Sequence, residues 1–86
     1  MKRLPPREAR RVAAASQLSR ALALERTGHH VEAADAYGEA VRIDPSDPEA
    51  QTRLGLALRE LGRDEEANRA FLAALRLREA FAFSGR

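Results

Sequence analysis

His29 and His30 stand side by side in a chain without cysteine. Neighbouring imidazoles in a turn point apart, and Glu32 and Asp35 beside them are ordinary residues for a helix start, so the spacing of a metal site is missing. Ser16, Ser19, Ser46 and Ser84 lie in no nucleophile–base–acid pattern, and no glycine-rich loop is present to cradle a phosphate. Tyr37 falls where a helical hairpin places a packing ring. These residues predict no catalytic group, no metal ligand and no cofactor, and therefore no enzyme.

Charge supplies the next chemistry. Lys2, Arg3, Arg7, Arg10 and Arg11 face only Glu8 within residues 1–11, which carry +4 of a net +2, leaving the remainder at −2. The sequence pI of 9.9 thus reflects the arm. Clustered arginines beside Pro5–Pro6 suit phosphate contacts. Against that, the arm has no aromatic residue for base stacking, the body is acidic, and Arg7, Arg10 and Arg11 run straight into a helix. Arg10 and Arg11 read as its solvated side, beside Val12 and Ala13. Leu4 alone is a poor membrane anchor. Nucleic acid is not the expected partner.

The elements that carry these residues are helical. Hydrophobic residues make up 44% of the 86 and charged residues 33%, a globular balance. Ala, Leu, Arg and Glu dominate, all good helix formers. Aromatics are only 5%, and β-branched residues are scattered singly, so no strand is expected. One domain this short buries only about 60–65% of the surface of its unfolded chain. No apolar run reaches the roughly 18 residues of a membrane span, and none follows the basic start to complete a signal peptide. A cytoplasmic location is expected.

Proline and glycine divide the chain into four helices. The first starts near Pro6 and runs to Thr27, with Gly28 as a left-handed stop. The second covers about His30 to Ile43. The third begins at Asp47, whose side chain caps it while Pro48 takes the first turn, and ends at Leu61 before Gly62. Ser46 with Glu49 offers an alternative capping box. The fourth is capped by Asp64 and continues to about Ala80.

A shift of 34 residues lays the chain on itself. Gly28 meets Gly62, and Gln17, Leu22, Ala23 and Leu24 meet Gln51, Leu56, Ala57 and Leu58. Glu32, Ala33, Ala36, Ala40 and Arg42 meet Glu66, Ala67, Ala70, Ala74 and Arg76. Ala21/Gly55, Tyr37/Phe71, Val41/Leu75 and Ile43/Leu77 are close replacements. The unit is duplicated. Ala21/Gly55 and Ala33/Ala67 let two helices approach closely, Tyr37/Phe71 supply one ring per unit, Ala40/Ala74 make room for the next helix, and Leu24/Leu58 fill the hairpin interior.

These residues resemble two tandem tetratricopeptide repeats, spanning 14–47 and 48–81, between a basic arm and helix extension at 1–13 and a tail at 82–86. The pattern appears as Leu54–Gly55, Leu58, Gly62, Ala67, Phe71 and Ala74, and as Arg20–Ala21, Leu24, Gly28, Ala33, Tyr37, Ala40 and Pro45. Gln17 and Gln51 stand where a Trp is frequent, Arg20 replaces a Leu, and Glu79 replaces the second unit's proline. The resemblance implies an all-α fold: antiparallel helical hairpins stacked as a short right-handed solenoid with an extended first helix. It also implies function through protein–protein contacts.

By the same resemblance, the first helix of each unit lines a concave groove, here with Ala15, Leu18, Ser19, Leu22, Glu25 and Arg26, then Glu49, Thr52, Arg53, Leu56, Arg59 and Glu60. Leu18, Leu22 and Leu56 form an apolar strip flanked by Arg53 and Arg59, suited to an amphipathic helix or extended peptide with apolar anchors and acidic residues. Its leucines alternatively pack on the chain itself or another copy. A clamp for a peptide's C-terminal carboxylate is not expected: Leu18, Leu22, Thr52 and Leu56 replace its polar residues, leaving Arg53.

Two repeats are fewer than the roughly three that such stacks usually need, and no polar capping helix is evident. The last helix carries Phe71, Leu72, Leu75, Leu77, Phe81 and Phe83, and Glu79 lets it run on. Leu77, Phe81 and Phe83 are expected to meet a second copy or a partner; folding back onto the second hairpin is the alternative. The expected protein is a non-enzymatic scaffold or adaptor that binds a protein partner or itself, a homo-oligomer being the expected assembly. The alternative is a nucleic-acid binder that uses its basic arm and dimerises through its repeats.

Overall fold

The computed structural model describes residues 3–84, with side chains through 82. Four helices follow one another: α1 (Pro6–Arg26), α2 (His30–Ile43), α3 (Pro48–Glu60) and α4 (Asp64–Ser84). No strand occurs among the described residues. α1 packs on α2, α3 on α4, and α2 on α3, so two hairpins are stacked through the inner pair.

The two hairpin turns are built alike. At the end of α1, His29 N–H donates to the Leu24 carbonyl at 2.9 Å and Gly28 N–H to Glu25 at 3.1 Å. At the end of α3, Arg63 N–H donates to Leu58 at 2.9 Å and Gly62 N–H to Arg59 at 2.9 Å. Both glycines take positive φ, 82° and 78°, which closes this double bond at little steric cost. The 34-residue period is therefore structural as well as sequential.

Three boundary expectations need correction. Asp64 does not cap α4: it is the first helical residue, and the Arg63 carbonyl accepts from Ala67 N–H at 3.0 Å. α4 also continues through Ala80 to Ser84, since no proline or glycine intervenes before residue 85. The Ser46–Glu49 box does not form. Asp47 caps α3, accepting from Glu49 N–H at 3.0 Å, while Ser46 Oγ is held by Asp44 Oδ1 at 2.6 Å.

The core is mostly alanine with one ring. Ala21, Ala33 and Ala36 enclose the fully buried Tyr37, and Leu18, Leu22, Leu24, Leu54 and Ala57 pack around them. Gly55 does the same for the second ring: a Cβ there would lie 2.6 Å from Phe71. The two rings differ in cover. Tyr37 lies between hairpins, whereas Phe71 on the outer helix α4 is half-buried.

Candidate interaction groove

Tyr37 begins the candidate site. α2 carries its ring into the alanine core, and its hydroxyl donates to Glu25 Oε1 on α1. Arg53 on α3 approaches the same hydroxyl and is itself paired with Glu49, Nε to Oε2 at 3.0 Å. Burial, and then the hydrogen bond to Glu25, push the Tyr37 phenol up to about 12; Arg53 opposes that rise. Three helices thus meet at one phenol, and two residues named from the groove pattern, Glu25 and Arg53, converge on it.

A second convergence lies between the hairpins. Glu25 and Glu60 line one recess of about 80 Å³, with His30, Ala33 and Ala57. His30 is there without forming a metal centre: no group of three His, Asp or Glu suited to a metal comes together among the described residues. His29 turns instead to Thr27, Nδ1 to Oγ1 at 2.9 Å.

The apolar strip is uneven. Leu18 and Leu22 are half-buried against the core, while Leu56 is exposed. Arg59 lies over the Phe71 ring at 5.7 Å from its centre, a cation–π contact. Thr52 Oγ1 donates to the Pro48 carbonyl at 2.9 Å and accepts from Arg78 at 3.3 Å, which ties α3 to α4. Ala15, Ser19, Arg26 and Glu49 are exposed.

The remaining site residues belong to α4. Phe81 is exposed and Leu77 half-buried, so the fold-back of Phe81 onto the second hairpin does not occur. The Phe83 side chain lies outside the described residues. Leu72 and Leu75 are exposed next to these, although their counterparts Gly38 and Val41 on α2 are half-buried.

In the arm, Arg7, Arg10 and Arg11 are exposed and line one side of a recess of about 330 Å³ closed by Ile43 and the Asp44–Ser46 turn. The hydrogen bond from Ser46, with Arg11 and Arg10 near, holds the Asp44 carboxyl below its ordinary range. No described helix is long and apolar enough to cross a membrane.

Sequence reasoning treated Tyr37 as a packing ring and missed its polar role. The signal was the pairing of Tyr37 with Phe71 across the repeat: a buried phenol needs a hydrogen-bond partner that a phenyl ring does not.

The family model of the tetratricopeptide repeat matches residues 13–57, and a second one 48–81. The chain belongs to the tetratricopeptide repeat family. Its two repeats lie in tandem, and repeats of this family generally mediate protein–protein interaction without chemistry of their own. No curated protein matches the chain.

Proposed function

We propose that this tetratricopeptide repeat chain is a non-enzymatic, cytoplasmic interaction module, with repeats at 14–47 and 48–81, that holds a protein segment along α1 and α3 and offers α4 as a second contact face. The observation that carries this reading is Leu56, a leucine left exposed between the charged groups of Arg53 and Glu60. Leu18 and Leu22 continue its apolar strip. Such a strip suits apolar anchors of an amphipathic helix or extended peptide.

The charges refine the partner. Arg53 receives an acidic residue at some cost, since Glu49 already holds it. Glu25 and Glu60, facing one recess, favour a basic side chain. The preferred segment therefore has apolar anchors with charges of both signs.

Selection of peptides from a random displayed library on the immobilised chain tests the proposal. The expected result is enrichment of segments with spaced apolar anchors, whose binding falls at least about tenfold with Leu22→Arg and Leu56→Arg together. An enriched peptide indifferent to that double variant, or no enrichment from a folded chain, contradicts it.

A further inference from the structure

The two outer helices of the hairpin stack are both extended beyond the inner pair. α1 and α4 have 21 residues each, against 14 in α2 and 13 in α3. The surplus of α1 lies at its N-terminus and that of α4 at its C-terminus. In the packed inner pair, α2 ends where α3 begins, so the two run antiparallel. If α1 of another copy lay on α4 as α3 lies on α2, extension would run beside extension.

Exposure agrees with this arrangement at both ends. On α4, Leu72 is 46%, Leu75 53% and Phe81 61% exposed, and on the α1 extension Val12 is 58% exposed. Phe71 stays half-buried where Tyr37, covered by α3, is fully buried.

We infer that copies of this chain stack head to tail, α1 of one on α4 of the next, in the register of α2 and α3. The inference rests on the reading of α4 as a contact face. The occupant is a second copy because its α1 repeats the α3 pattern, Gln17, Leu22, Ala23 and Leu24 standing where α3 has Gln51, Leu56, Ala57 and Leu58. Arg20 in the place of Leu54 is the weak point of the contact: its charged head must reach past the apolar strip to water, which keeps the association modest. Each step presents the same two faces again, so the contact is head-to-tail and adds copies beyond a dimer.

Cysteine-free sequence makes the test clean. Full-length chains with Val12→Cys and Phe81→Cys, both exposed positions, are mixed and treated with a short bis-maleimide. Linkage between the two variants, with neither linking to itself, is expected; Phe81→Cys linking to itself, or no linkage, overturns the inference. By sedimentation, the wild-type mass grows from micromolar to near-millimolar concentration without stopping at a dimer. Arg20→Leu tightens the association about tenfold by burying a leucine in its place. A mass that stays monomeric also overturns the inference. If peptide selection at Leu22 and Leu56 still succeeds with such a monomer, the groove reading stands and only the stacking fails.

Discussion

The Tyr37 hydroxyl on α2 donates to the Glu25 carboxylate on α1, twelve residues earlier in the chain. This bond joins the most deeply buried ring to the candidate groove, because Glu25 also lines the recess with Glu60. Removing the hydroxyl, Tyr37→Phe, lowers stability by about 1 kcal/mol at neutral pH, since Glu25 regains water. Chemical denaturation measures the loss.

The same phenol makes stability fall at high pH. Its folded-state value of about 12 exceeds the ordinary 10, so its stabilisation is complete below pH 10 and disappears as pH rises through 12. Between about pH 9 and pH 11 the wild type loses about 1 kcal/mol relative to Tyr37→Phe, which lacks the group. Parallel denaturation of both proteins across that window checks the sign; equal slopes show that the phenol titrates normally.

Gly55 lets the Phe71 ring of α4 pack directly on the α3 backbone. The Cβ of Gly55→Ala meets the Phe71 ring at 2.6 Å, so the ring must shift and leave its place beneath Arg59. Better helix propensity offsets part of this, about 1 kcal/mol. A net loss of about 1 kcal/mol is expected, read as a lower thermal midpoint. The reverse change, Ala21→Gly, also destabilises, by about 1 kcal/mol, because it loses helix propensity in a place already wide enough for a Cβ.

At the α2–α3 turn, Asp44 accepts from both Ser46 N–H, at 3.2 Å, and Ser46 Oγ. Ser46→Ala removes the hydroxyl bond that does most to depress the Asp44 carboxyl. Its titration followed by carbon-detected NMR should move up toward 3.8. Asp47→Ala, two residues on, removes the α3 cap and costs about 1 kcal/mol, without moving Asp44.

Most of the fold was legible because its signals are local. Gly28 and Gly62 stop helices by their own backbone freedom, and Asp47–Pro48 starts one in the same way. The repeat then supplied the pairing of helices. What was not legible depends on spatial neighbours. The end of α4 has no breaker before residue 85, and only the structure shows that the helix persists through it. Arg53 and Arg59 read as free cations from spacing, but Glu49 and the Phe71 ring engage them, contacts set by side-chain direction. The meeting of Glu25, Glu60 and His30 needs the angle between hairpins, which no single helix encodes.

The central claim is that α4 presents a face the chain does not cover itself. Residue-resolved hydrogen exchange of the wild type across concentration tests it most directly. The account predicts weak protection of the outer turns of α4, around Leu75 to Phe81, in dilute solution. That protection should rise with concentration while that of α2 around Tyr37 stays constant. Equal and concentration-independent protection of α4 and α2 would contradict it.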